Sequence, residues 1–140
     1  MLPWLRWLFA EPKSDSSSLG KLGEKEAAAL LKSKGYSILT RNWKSGKDEI
    51  DLVCQDREAL VFVEARNRKT GSLVSGYDSI DSRKKEALLR VCRAYIAKLR
   101  KKPRTSRFDV VEVEHDSGQV IAVRHFENVP LFGKAMGRGV

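Results

Sequence analysis

Apolar residues recur along this chain with two periods, and the places where the period changes mark out its elements. Over 19–34, Glu24, Ala27, Ala28 and Leu31 fall at i, i+3, i+4 and i+7, one face of a helix. Gly35 then closes the run as a left-handed helix cap would. Segments 36–43, 49–54 and 59–66 are short and rich in β-branched and aromatic residues. The turns between them, Lys44-Ser45-Gly46-Lys47 and Gln55-Asp56-Arg57-Glu58, are short and polar, so the three segments predict an antiparallel meander. A polar loop is expected over 67–81. Helical spacing returns over 82–100, with Leu88, Val91, Cys92, Tyr95, Ile96 and Leu99 as the buried stripe. A basic linker broken by Pro103 leads to a final hairpin, 108–114 and 120–126, around Asp116-Ser117-Gly118.

This order predicts an α/β domain over 19–128 with a loose tail over 129–140. At 140 residues the chain is long enough for one core and too short for two. Ahead of the domain, 1–18 reads as an arm: Leu2, Trp4, Leu5, Trp7, Leu8 and Phe9 followed by an acidic, Ser-rich tether. Ten such residues cannot span a bilayer, which needs about twenty. The tether lacks the small-residue cleavage site of a signal peptide. The arm is expected to dock on the domain, with a partner protein or a membrane surface as the other docking sites.

Charge changes the picture more than composition does. The formal charge is +9, and 83–107 holds eleven Lys or Arg against one acid, Glu86. A basic stripe on a nearly neutral body is the footprint of a nucleic-acid binder, because phosphates supply the opposite charge. Arg83, Lys84, Lys85, Arg90, Arg93, Arg100, Lys101, Lys102, Arg104 and Arg107 are the candidate contacts. The two cysteines, Cys54 and Cys92, have no metal-ligand spacing and read as core thiols of a reducing, cytoplasmic compartment. With His115 and His125 the only histidines, neither a zinc site nor a His-based nuclease centre is expected, and both are expected to decorate the last hairpin.

Two acids stand where acids are costly. Asp51 lies between Ile50 and Leu52, and Glu64 follows Val61-Phe62-Val63 directly. A carboxylate in a sheet interior loses its hydration without compensation unless something binds it. Side chains alternate with period two, so Glu64 and Arg66 share a face, and pairing of the strands would bring both acids and the guanidinium to one rim. Lys84, four residues before Leu88 at the edge of its stripe, can reach inward. Glu24 points along the apolar stripe of its helix. These residues make either a metal and phosphate site or an ion-pair network.

Together with the element order, the blocks Gly23-Glu24, Gly35-Tyr36, Arg41-Asn42-Trp43, Glu49-Ile50-Asp51-Leu52, Val61-Phe62-Val63-Glu64, Arg83-Lys84 and Arg107-Phe108-Asp109-Val110 resemble the YraN-like family of the PD-(D/E)XK nuclease superfamily. The resemblance covers roughly 19–126. It implies a restriction-endonuclease-like core, a mixed sheet flanked by helices, and metal-dependent hydrolysis of DNA, as in Holliday-junction resolvases. It further implies that Asp51, Glu64 and the Ala65 carbonyl bind Mg²⁺ or Mn²⁺ with Glu24 assisting. Arg66 and Lys84 would then face phosphate, with Glu49 and Asp109 behind the ligands. Hard oxygen donors suit those ions. Two positions depart from the family pattern: Arg66 stands where it has Lys, and Asp48 where it has Gly. Arginine keeps the charge but does not deprotonate at working pH. A non-catalytic binding module on the same fold, and an adaptor acting through the arm, are therefore the alternatives. The expected partner is DNA ahead of RNA, with a homodimer admitted and no stable membrane insertion.

Overall fold

Leu52-Val53-Cys54 and Leu60-Val61-Phe62-Val63 are apolar on both faces, and such strands belong inside a sheet covered on both sides. The computed structural model puts them there. It describes residues 13–71 and 80–131; the aromatic arm, positions 72–79 of the expected loop and the chain beyond 131 lie outside the described residues. In chain order the elements are α1 (Lys13–Ser33), β1 (Ser37–Ser45), β2 (Asp48–Asp56), β3 (Ala59–Lys69), α2 (Ser82–Lys98), β4 (Thr105–Asp116) and β5 (Gln119–Phe126). The five strands form one sheet in the order β1-β2-β3-β4-β5. Every neighbouring pair is antiparallel except β3 and β4, which run parallel. Parallel neighbours need a crossover connection, and α2 lies within it.

The helices cover opposite faces. Beneath α2, Ile50, Phe62, Phe108 and Val110 of the sheet meet Leu88, Val91, Cys92 and Ile96. Beneath α1, Val61, Val63, Ala65 and Val111 meet Ala27, Ala28 and Leu31. The mixed sheet flanked by helices is thus the expected architecture, and Cys54 and Cys92 are buried free thiols in it. Gly35, at φ +93, ends α1 as its cap, with Tyr36 N–H donating back to Leu31 at 3.0 Å. Gly23 allows α1 to approach β3 closely, since a Cβ there would stand 2.6 Å from Asn67 Oδ1.

Three details differ from the sequence reading. α1 starts at Lys13, inside the stretch expected to be a tether, because serine costs a helix only a few tenths of a kcal/mol per residue. The chain past β5 is not loose as far as Leu131: Val129 and Leu131 are buried in the α2-side core, and Val129 N–H donates to Phe108 at 2.7 Å. His125 is no decoration, with a side chain only 3% exposed against Asp109.

Candidate metal and nucleic-acid site

The site lies where two strands part. The β2–β3 ladder runs from Asp56↔Ala59 to Leu52↔Val63 and stops. One more step in that register would set Asp51 opposite Glu64. Instead, the Asp51 carboxylate takes over the role of a ladder acceptor: Ala65 N–H donates to Oδ2 at 2.8 Å. On the other side of Asp51, between the pairs Arg41↔Leu52 and Trp43↔Ile50, stands Asn42 at φ +50. Asparagine tolerates that left-handed backbone better than most residues.

Both acids are fully buried, so the sequence expectation of a rim gives way to an interior site. Asp51 Oδ1 and both Glu64 carboxyl oxygens lack a hydrogen-bond partner among the described residues. Native interiors rarely leave such atoms without one. The cations nearby are buried as well. Lys84 Nζ lies 3.4 Å from Glu64 Oε2, and Arg66 is 1% exposed on the same face of β3 as Glu64. Lys84 is placed by the start of α2: Asp81 is the N-cap, and its side chain accepts from Lys84 N–H at 2.8 Å.

Electrostatics follow from that burial. Asp51 is held well above the usual carboxylate range by burial first, then by the charges of Glu64 and Glu24, against the pull of the Ala65 N–H and Lys84. Burial pushes Glu64 up to about 7 despite Lys84 and Arg66. Burial also lowers Lys84 and Arg66, opposed by the two acids. Every charged group here therefore works against desolvation, which is unusual outside functional sites. A divalent cation fits the three oxygens in chemistry, since they are hard donors. Among the described residues no three His, Cys, Asp or Glu side chains gather as a metal cluster. Glu24 is turned to Asn42, whose Nδ2 donates to its Oε1 at 3.0 Å, and reaches Asp51 through its charge.

The remaining candidates separate. Asp48 is matched by Arg90, which grips it with two hydrogen bonds of 2.6 and 2.9 Å, so the extra acid is neutralised locally. Lys102 Nζ donates to the carbonyls of Ile96, Ala97 and Leu99 and thereby caps the end of α2. Arg107 lies on the α1 side, bound to Asp109, Asp56 and the Tyr36 hydroxyl. Asp109 takes Arg107, His125 and the Asn128 N–H on its two oxygens, and that cluster includes neither Asp51 nor Glu64. Glu49 is buried. Arg83, Arg93, Arg100 and Lys101 are exposed, Lys85 is half-buried, and Arg104 pairs with Glu58 at 3.4 Å in full solvent. Asn42 and Asp81 escaped the sequence reading, although Asp before a helical run is a cap signal. So did a network farther along the sheet, Glu112 and Glu114 with Arg68 and Arg124, which only the β3–β4–β5 register assembles.

Residues 23–113 match the model of a family described as "Uncharacterised protein family UPF0102". Among curated proteins, a UPF0102 protein of Nitratidesulfovibrio vulgaris is 35% identical over 120 residues, covering 86% of this chain and 89% of its own. One of Lawsonia intracellularis is 36% identical over 121 residues, covering 86% and 91%. One of Pelotomaculum thermopropionicum is 40% identical over 111 residues, covering 79% and 92%. The match bears out the YraN-like resemblance, and the segment it covers contains Glu24, Asp51, Glu64, Arg66 and Lys84.

Proposed function

The chain belongs to the uncharacterised protein family UPF0102, and from that premise we propose that it is a metal-dependent endonuclease acting on DNA, with branched or otherwise structured DNA as its substrate class. One observation carries the reading. Three buried carboxylate oxygens at the strand fork lack a hydrogen-bond partner among the described residues, and the charges nearest them are two buried cations, Lys84 at 3.4 Å from Glu64 and Arg66. An ion-pair network built for stability would have satisfied those oxygens.

Asp51 and Glu64 would hold Mg²⁺ or Mn²⁺, with the Ala65 carbonyl as the further oxygen that the family resemblance implies. When bound, the ion supplies Lewis acidity toward the phosphate and its attacking water. The chain's own residues do the rest. Ala65 N–H fixes Asp51, so one of its oxygens stays directed into the site. Arg66 and Lys84 offer fixed positive charge where negative charge grows on the phosphoryl oxygens. Of the two, only Lys84 can exchange a proton, since a guanidinium does not. The exposed cations of α2 and its linker would track the backbone, a contact that carries no sequence information.

The test is a panel of labelled branched, duplex and single-stranded DNAs with Mg²⁺ or Mn²⁺. Cleavage is expected on the branched substrates, lost in Asp51→Asn and Glu64→Gln. Calorimetric titration should show Mn²⁺ binding that both variants remove while remaining folded. Absence of both cleavage and Mn²⁺ binding would leave only an ion-pair network. A second reading, a binding module without catalysis, is favoured by Arg66 in place of the pattern's Lys. It is separated by equal DNA affinity of wild type and Arg66→Lys with no cleavage by either.

A further inference from the structure

A cavity of about 360 Å³ opens at the opposite end of α2 from Lys84, and the strand fork does not use it. Its apolar surface comes from Leu39 of β1, Leu60 of β3, Tyr95 of α2 and Leu99 just past the end of α2. Leu39 is 47% exposed, an open hydrophobic side chain at a concave place. Lys101 and Arg104 line the same cavity from the linker after α2. The Arg104–Glu58 pair has side chains 82% and 75% exposed, and pairs so exposed contribute little, so Arg104 can exchange its partner for a phosphate. Lys102 already occupies the last carbonyls of α2, which cancels the negative helix end that would repel an anion there.

The cavity is joined to the fork by charge. Exposed Arg83 and Arg93 lie on the outer side of α2, with Arg90, held by Asp48, between them, and Arg100 and Lys101 continue past its end. Tyr95 follows Lys84 by eleven residues, about 16 Å along the helix at ~1.5 Å per residue. That distance is about five nucleotide steps of a duplex strand at ~3.4 Å each.

We propose, resting on the DNA reading above, that this cavity receives an unpaired nucleotide of the substrate, its base against Leu39, Leu60 and Tyr95 and its phosphates at Lys101 and Arg104. A paired base is hidden between its neighbours, so only an unpaired one can enter an apolar recess. An aromatic side chain beside a basic rim is what single strands use, since every base has a π-face. The protein thereby selects DNA that places a single-stranded segment a few nucleotides from the bond at the fork.

The experiment measures binding without metal, in EDTA, using the full chain. A blunt duplex is compared with the same duplex carrying a single-stranded overhang that contains 2-aminopurine. The overhang should bind roughly 5- to 140-fold tighter, the range of one stacked base. 2-Aminopurine emission should be quenched most when the probe is the first unpaired nucleotide at the junction, with the roughly five duplex steps to the fork lying on its paired side. Leu39→Asp, at an exposed position that tolerates it, and the double variant Lys101→Glu with Arg104→Glu should each remove the preference for the overhang. Tyr95→Phe should keep it. Equal affinity for blunt and overhang DNA, or a preference that survives Leu39→Asp, overturns the cavity while leaving DNA binding intact. Absence of any DNA binding overturns both. If Leu39→Asp instead weakens binding to anionic lipid vesicles and leaves the overhang preference alone, the recess serves a lipid surface and the inference falls.

Discussion

Asp51 is a carboxyl group kept from water, and a single hydrogen bond to Ala65 N–H satisfies only part of it. A buried carboxyl group so placed lowers stability unless something binds it. Asp51→Asn should therefore abolish metal binding and cleavage yet raise the melting temperature of the metal-free protein by a few degrees, as about 1 kcal/mol would in a domain of this size. The amide oxygen can still accept from Ala65 N–H. Melting below wild type would show that the carboxylate is a stabilising element, and the site would lose its functional argument. Arg66 is a different case, a matter of chemistry rather than burial. Arg66→Lys should raise cleavage about tenfold or more with DNA affinity nearly unchanged, because an ammonium can exchange a proton with the attacking water. Efficient cleavage by wild type and none by Arg66→Lys would make Arg66 a fitted phosphate clamp. At this scale the sequence was informative where a residue broke its surroundings: acids among Ile, Leu and Val were legible as a site. The network of Glu112 and Glu114 with Arg68 and Arg124 was not: Glu112 stands between Val111 and Val113 with the same contrast, but its partners come from β3 and β5 and only the sheet register brings them together.

The elements were legible wherever local pattern decided them, and obscure where distant contacts did. Strands 52–54 and 60–63 declared themselves as interior. The parallel pairing of β3 with β4 did not, because the register Val61↔Arg107 to Lys69↔His115 depends on where a crossover returns. The docking of Val129 and Leu131 is likewise set by packing rather than propensity. Two predictions belong here. Asp81 starts α2 and holds Lys84 in its first turn, so Asp81→Ala should cost about 1 kcal/mol, and Asp81→Asn far less. Cleavage should fall with the alanine variant by more than its lost stability explains; unchanged cleavage would place Lys84 outside the chemistry. The second concerns the clasp at Asp109, which joins β4 to β5 and, through Arg107, to Tyr36 and Asp56. Burial alone would raise the Asp109 carboxyl, but hydrogen bonds from His125, Arg107 and Asn128 outweigh it and hold it below 3.8. A depressed folded value means stability that is present above pH 3.8 and lost as pH falls through the folded value. Asp109→Asn should therefore cost roughly 3 kcal/mol at neutral pH and make stability less steeply dependent on acid. An unchanged acid profile would deny Asp109 that role.

For the whole molecule, the sequence gives a count of positive charges, and the structure gives their availability. Of the basic residues over 83–107, Lys84 is held in the interior, Arg90 grips Asp48, Lys102 caps α2, and Arg107 binds Asp109 on the opposite face. Arg83, Arg93, Arg100 and Lys101 are exposed and in no ion pair among the described residues. Counterion release depends on phosphates actually neutralised, so the salt dependence of DNA binding should report the exposed set and not the total. Arg93→Glu with Arg100→Glu should reduce the log–log salt slope by about 2, near 0.9 for each lost contact, and weaken all duplex sequences alike. Lys102→Ala should leave that slope alone. It should instead lower the melting temperature by several degrees, because the last carbonyls of α2 lose their donor. The same slope in both variants, or a larger change in Lys102→Ala, would move the DNA surface off the exposed face of α2. The track between the fork and the cavity would then have no physical basis.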